Sequence, residues 1–415
     1  MSRRRRRPRA RVSPAKNRSS DALLVKVHQA ASEGWTRRPM LVRSRVYTLS
    51  HLMEFDHELQ RNLTVLLEAR ARSVRVPTSR GWTEDPGEVF VEAVCAGMCG
   101  RDAIEAVVSE ARSPSVQDAL TAALAWLPFR RIASCLRDWH CYENPRWRAL
   151  ALAAQVAHRH ELGLVIDRGL VDGDLSVRVH AATACRVFGR RDLVPGLSAG
   201  VAMDPSQATM RFASDVALLA LGEAEARDRL LALAAEGTPN AELATELALR
   251  NTPVDEAMTR LALLARQPGT GRCVVLGAAT TGAGRAVPIL LEAMHDPRLA
   301  ALAAYGLSTI TGLELAEVGL QVEPGSDADP ELPYPDVDGV HAWWNRHRYG
   351  FGGDQRWCFG QSRTLNVLRD VLTAECQHQR RLAAHDIHLC GASGLFDTEA
   401  PAWRQRRALA AMDNT

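Results

Sequence analysis

From Asp174, the stretch DLSVRVHAATACRVFGRRDLVPGLSAGVAMD sets Val177, Ala181, Ala184 and Val187 at helical spacing. Gly189 then stops that helix, and Leu193, Leu197 and Val201 begin a second apolar stripe. NPRWRALALAAQVAHRHELGLVIDRGLVDGD, from Asn144, repeats the whole pattern, and DPRLAALAAYGLSTITG, from Asp296, repeats its first half. Each stretch predicts a helical hairpin whose seam is rich in Ala, because close helix packing needs small side chains. One such hairpin cannot cover its own apolar face, whereas stacked neighbours can.

Proline marks the period. Asp85-Pro86, Ser113-Pro114, Asn144-Pro145, Asp204-Pro205, Thr238-Pro239 and Asp296-Pro297 each join a capping side chain to proline. The cap oxygen takes an orphan amide, and proline then occupies a position whose N–H has no helical partner. Asp174-Leu175 and the Pro268-Gly269-Thr270 turn fill two gaps. Starts at 86, 114, 145, 175, 205, 239, 268 and 297 are 28 to 34 residues apart. A period near thirty is one helix–turn–helix unit.

The pattern predicts an all-α chain, an α-solenoid of seven to eight hairpins over 85–322 with helical caps at both ends. The N-terminal cap spans 40–84. There, Tyr47 to Ala69 reads as a helix with Thr48 or Ser50 as cap, striped by Leu52, Phe55, Leu59, Leu63 and Leu66. An acidic, Pro-rich linker follows the array at 323–338, with six acids, four prolines and no base. A capping module and tail over 339–415 hold a helix near Val340–Arg346, an irregular stretch from Tyr349 to Gly360, and a long helix from Thr364 to about Leu389.

Charge and composition narrow the function. Aromatics are 5% of 415 residues, which argues against a β-sandwich. Residues 1–18 carry nine basic residues and no acid, leaving 42 basic against 48 acidic residues elsewhere, a net of −6. An acidic body is not expected to bind nucleic acid, except through the basic arm. Residues 1–39 read as a disordered arm or a misassigned start, since recognisable pattern begins near Met40. No run of 18 apolar residues predicts a membrane span. The nine cysteines fit no zinc spacing and read as buried free thiols of a reducing cytoplasm.

The hairpins resemble HEAT repeats of the short bacterial type, also called PBS-lyase-like repeats. DLSVRVHAATA and DPRLAALAAYGL carry that likeness. YTLSHLMEFDHEL, LPYPDVDGVHAWWNRHRYGF, QHQRRLAAHDIHL and LFDTEAPAWRQRR extend it to an uncharacterised bacterial family of HEAT-repeat proteins, over about residues 41–408. The resemblance implies a bacterial cytoplasmic protein, encoded in some cases near type VI secretion components, and supplies no catalytic residues.

Chemistry is sparse. HEAT-type di-iron hydroxylases draw on several His-Glu pairs, and this chain offers His57-Glu58 and His160-Glu161 alone. VVLGAATTGAGRA at 274–286 misses the dinucleotide-binding glycine spacing and reads as a short helix ending at a glycine turn. Nucleophile motifs are absent. No catalytic, cofactor or metal residue is predicted, and no cofactor. The candidate partner-binding residues are Trp343, Trp344, Trp357, Arg380, Arg381, Trp403 and Arg404, because Trp and Arg dominate protein–protein hot spots. Trp343 and Trp344 point about a hundred degrees apart on a helix, so one is expected to anchor and the other to reach the surface. The second helices, at 128–138, 161–171, 191–201, 223–235, 254–265 and 284–294, are expected to line a concave face. Arg130, Arg131, Arg137, Asp167, Arg168, Glu223, Glu225 and Asp228 give that face mixed charge. The reading is a non-catalytic scaffold or adaptor for another protein, with a secretion-system component as one candidate. Its rivals are a nucleic-acid-binding HEAT-like protein and a HEAT-type metalloenzyme or lyase.

Overall fold

The computed structural model describes residues 14–72, 84–203, 207–250, 252–325, 329, 331–391 and 394–412, with backbone alone at 14–21 and 201–203. The fold is all-α. Strand is confined, among the described residues, to two hairpins of two-residue strands, both after residue 320. No described helix is long and apolar enough to cross a membrane. Two compact units form, residues 1–41 with 51–137 and residues 42–50 with 138–415.

The first unit holds α1 (Pro14–Leu41), α2 (Leu49–Ala71), α3 (Pro86–Cys99), α4 (Arg101–Glu110), α5 (Gln117–Trp126) and α6 (Phe129–Trp139). Asp85 caps α3 as its sequence predicts. Its carboxylate accepts the Glu88 amide at 2.9 Å, and Pro86 opens the helix. Trp35 of α1 stacks on Phe90 of α3 at 5.3 Å, and Trp126 of α5 meets the edge of Phe90 at 5.8 Å. The expected disordered arm is therefore corrected from Pro14 onward. Leu24, Ala31 and Trp35 of α1 are buried, which gives this charged segment a core face. Residues 1–13 lie outside the described residues.

The second unit begins with α7 (Pro145–Ala157), α8 (Val165–Leu170), α9 (Leu175–Phe188), α10 (Val194–Met203), α11 (Ala208–Ala220) and α12 (Ala226–Ala235). It continues through α13 (Ala241–Arg250), α14 (Val254–Leu264), α15 (Gly271–Thr281), α16 (Val287–Ala293) and α17 (Ala300–Thr311). The first helix of each hairpin packs on the next, in the order α7, α9, α11, α13, α15, α17. The second helices lie beside them, α8 on α9, α12 on α11 and α13, α14 on α15, and α16 on α15 and α17. These are the pairings that a stacked helical repeat requires. Asn144 and Asp174 cap α7 and α9 by accepting the amides of Arg146 and Val177, and Gly189 ends α9 in the left-handed conformation.

Three proline-marked turns work differently from the expectation. Thr238 donates its hydroxyl back to the Leu233 carbonyl, and α13 starts three residues later. Thr270 donates back to the Leu264 and Gln267 carbonyls. Asp296 accepts the Arg298 amide in a turn before α17. Thr238 and Thr270 close the preceding turn, Asp296 closes the turn before α17, and α15 and α17 start without a side-chain cap. Asp204-Pro205 lies outside the described residues. The cysteines also divide. Six are buried, whereas Cys99, Cys141 and Cys390 are exposed.

After the array, β1 (Gln321–Val322) pairs with β2 (Tyr334–Pro335), so part of the expected linker is ordered. Then come α18 (Val337–His347), the hairpin of β3 (Trp357–Cys358) and β4 (Gln361–Ser362), α19 (Leu365–Ala374), α20 (Gln377–Leu389) and α21 (Ala402–Met412). The long helix expected from Thr364 is two helices. Glu375 and Cys376 are extended between them, because Cys376 bridges to Thr48 and the amides of Gln377 and His378 donate to Tyr47 and Ser44 carbonyls at 2.8 and 3.0 Å. That pairing partner lies more than 300 residues earlier.

Candidate functional site

The first helices carry apolar side chains on nearly every side. In α17, Ala300–Thr311 are buried except Tyr305 and Ser308, and Ala244–Arg250 of α13 are buried without a break. A helix apolar all round needs cover on both sides. The second helices supply one cover and the C-terminal module supplies the other. It does more than cap the end of the stack. α20 packs on α11, its Leu382 joins the core of α9, α11 and α13, and the module reaches α15 and α17.

The cover is polar. Glu246 and Arg250 lie one turn apart on α13 and share a face. Opposite them, His378, Leu382 and Asp386 form a stripe along α20. His378 Nε2 is 2.8 Å from Glu246 Oε1, and its Nδ1 is 2.9 Å from Tyr305 Oη of α17. Gln379 Nε2 donates to the same phenol at 2.9 Å, and the Cys376 sulfur lies 3.5 Å from it. Burial disfavours the imidazolium and holds His378 below its ordinary range. The neutral ring then accepts from Tyr305 at Nδ1 and donates Nε2–H to ionised Glu246. Burial drives the Tyr305 phenol and the Cys376 thiol upward, so both stay protonated. One helical turn along α13, Arg250 Nε meets Asp386 Oδ2 at 2.7 Å, and Arg250 Nη1 meets Thr280 Oγ1 at 3.3 Å.

The β3–β4 hairpin locks onto the ends of the same helices. Trp357, Phe359 and Gly360 donate backbone amides to the carbonyls of Gly282, Thr309 and Ile310 at 2.7, 2.8 and 3.0 Å. Arg356 spans the carbonyls of Arg250, Thr252 and Thr281, and Arg363 spans those of Arg250 and Thr280. Two guanidiniums thus satisfy helix-end carbonyls that have no helical partner, at the negative end of the dipole. Burial lowers Arg363 to about 10. Gly282 ends α15 at φ 68°, and a Cβ there would stand 2.7 Å from the Trp357 carbonyl oxygen. The Gly-rich segment at 274–286 is thus a helix end built for backbone approach.

A cavity of about 20 Å³ remains in this seam, bordered by Arg250, Tyr305, Trp357 and Arg363. It has room for about one water, and the buried Trp357 Nε1–H, which has no partner among the described residues, borders it. The seam is thus a joint rather than a substrate chamber.

His385, also on α20, is buried with both ring nitrogens unpartnered among the described residues. Burial is the main cause that pushes it down to about 4, with Arg186 and Arg250 adding to it against Asp386. The unfolded chain takes up this proton near pH 6.5 and the folded chain only near 4, so stability is full above about 6.5 and falls as pH drops through that window. The expected loss reaches about 3 kcal/mol. Urea midpoints between pH 7 and 4.5 will fall less steeply in a His385→Leu variant than in the wild type.

The seven candidate partner-binding residues do not form one surface. Trp344 is buried against the core of α15, α16 and α17, and Arg380 is fully buried, its Nε on the Leu372 carbonyl at 2.7 Å and its Nη1 on Gln377 at 2.7 Å. Both are interior. Trp343 is half-buried and stacks on His347 at 4.3 Å, so the adjacent tryptophans do divide into anchor and surface. Trp357 sits edge-on to Phe351 at 5.1 Å. Arg381, Trp403 and Arg404 remain accessible in part, and Arg404 Nη1 lies 3.2 Å from His158 Nδ1. His57, Glu58, His160 and Glu161 are exposed, and no three His, Cys, Asp or Glu side chains are grouped to hold a metal among the described residues.

Charges on both helix layers pair from hairpin to hairpin. Asp167 takes Arg190, Glu236 takes Arg211, Glu242 takes Arg272, Asp228 takes Arg260 and Asp255 takes Arg285, at separations of 23 to 32 residues. Exposed pairs of this kind add little stability, and their effect is to fix the register of neighbouring hairpins. At the turn edge of the array, α14 and α16 with the starts of α15 and α17 border an open groove of about 500 Å³, floored by Val274, Val275, Ile289 and Leu299. No protein-family model, curated protein or solved structure matches this chain.

Proposed function

We propose that this protein is a non-catalytic helical-repeat scaffold that binds another protein, and that the stacked hairpins are HEAT-like. The observation that carries the reading is the groove bordered by α14 to α17. It is open and mostly apolar, with Gln267, Thr270 and Glu292 as the polar side chains that line it, whereas small-molecule sites are enclosed around a few well-placed polar groups. The chain's own C-terminal module occupies the first-helix side, and the second helices carry charges of both signs, among them Asp167, Arg168, Glu223, Glu225 and Asp228. A mixed face with an apolar groove suits an apolar segment of a protein better than a polyanion. A secretion-system component is one such partner that the sequence resemblance suggests.

The test is capture from the native host with wild-type protein and with Ala293→Arg, which fills the groove without touching the seam. A protein retained at near-equal stoichiometry by wild type and lost by at least tenfold with Ala293→Arg supports the proposal. Equal retention by both, or salt-sensitive micromolar binding of DNA by a chain lacking only residues 1–13, sinks it.

A further inference from the structure

Helix α18 of the C-terminal module packs on α16, and the contact brings two histidines together. His295 follows the end of α16 and is exposed, whereas His341 lies on α18 and is half-buried. Their ring centres are 5.4 Å apart, and the rings are tilted by 42°. Among the described residues, the His295 ring has no hydrogen-bond partner. The pair sits at the C-terminal end of α16, where the helix dipole favours a cation.

The tautomer of His341 follows from its partner. Its Nε2 lies 3.3 Å from the Leu291 carbonyl oxygen of α16. A carbonyl only accepts, so Nε2 carries the proton and Nδ1 keeps a bare lone pair. Metal-binding imidazoles are held in this way. One ring nitrogen donates to a backbone carbonyl, which orients the ring and leaves the other nitrogen to bind.

The spacing fits a shared ion. An ion of the zinc class, about 2.0–2.1 Å from one nitrogen of each ring and at a tetrahedral angle, sets the ring centres about 5 Å apart. The observed 5.4 Å needs only a slight opening of that angle. No third His, Cys, Asp or Glu is grouped with the pair among the described residues, so water completes the coordination, as at open zinc sites. Neutral imidazoles select Zn²⁺, Ni²⁺ and Cu²⁺ over Mg²⁺ and Ca²⁺, which take oxygen ligands.

We infer that His295 and His341 form a binding site for a divalent transition-metal ion of the zinc class. Because the two ligands stand on α16 and α18, the bound ion ties the C-terminal module to the array. This goes beyond the scaffold reading, and no partner protein is needed to test it.

Calorimetric titration of the untagged full chain, stripped with chelator, tests this with Zn²⁺ and Ni²⁺, and with Mg²⁺ as the oxygen-seeking control. One ion bound per chain, with a rise in melting temperature that Mg²⁺ does not reproduce, is the expected result. His295→Ala separates the site from the fold. It removes an exposed side chain, so the metal-free melting temperature holds while affinity for Zn²⁺ falls at least tenfold. His341→Phe keeps a ring in the contact and is expected to lower affinity likewise, and His57→Ala, at an exposed histidine of α2, keeps wild-type affinity. No saturable binding, equal binding of Mg²⁺, or undiminished affinity in His295→Ala overturns the inference.

Discussion

Asp386→Ala will loosen the C-terminal module and cost about 3–5 kcal/mol, because it strands the Arg250 guanidinium in the interior. Arg250 and Asp386 are both nearly inaccessible and meet at 2.7 Å. Arg250 Nη1 also reaches Thr280, and its backbone carbonyl takes Arg356 and Arg363. Losing the carboxylate thus leaves a buried charge whose remaining acidic neighbour, Glu246 one turn away, is already engaged by His378. The paired replacement Arg250→Met with Asp386→Leu will recover most of the loss, since a buried ion pair exchanged for apolar side chains of similar volume is close to neutral. Urea unfolding and amide exchange along α13 and α20 measure both. Equal stability of Asp386→Ala and the wild type would show that the seam does not hold the module.

Gly284→Ala will displace the turn that precedes the β3–β4 hairpin. An added Cβ would stand 2.0 Å from the Phe351 carbonyl oxygen and 3.0 Å from the Phe351 Cβ. The obstacle is backbone, so no rotamer relieves it, and the cost is expected to exceed the usual 1–3 kcal/mol of overpacking. Gly319→Ala is the control. Gly319 has φ 70° and nothing within 4 Å of a Cβ, so it bears the left-handed strain alone, about 1–2 kcal/mol. Trypsin cleavage at Arg348 and Arg356 and quenching of tryptophan fluorescence will increase in Gly284→Ala and stay near wild type in Gly319→Ala.

The array was legible because its signals are local. Asp85, Asn144 and Asp174 cap the helices that follow them, Gly189 ends α9, and the apolar stripes of Val177, Ala181 and Ala184 face the core. Where the capping side chain serves the preceding turn, as at Thr238 and Thr270, or a separate turn before the helix, as at Asp296, the sequence looks the same and only the geometry of the incoming chain decides. The break at Glu375 and Cys376 had no local mark either, since residues 44–48 cause it. The seam left one readable trace. Ala300–Thr311 and Cys273–Thr281 lack a polar face, which requires a second cover, and Glu246 and Arg250 are charges one turn apart within a run of Ala and Leu. Such a pair demands polar partners, and His378 and Asp386, two turns apart on α20, supply them.

The covering helix α20 leaves the ribosome after α11 to α17, the helices it covers. Throughout synthesis of the preceding residues, the outward side of α11 to α17 stands bare, with an acid and a base sunk in an oily strip and nothing to answer them. A nascent chain therefore stays adhesive until α20 emerges, and a chain cut short before residue 376 is a sticky product rather than a smaller working one.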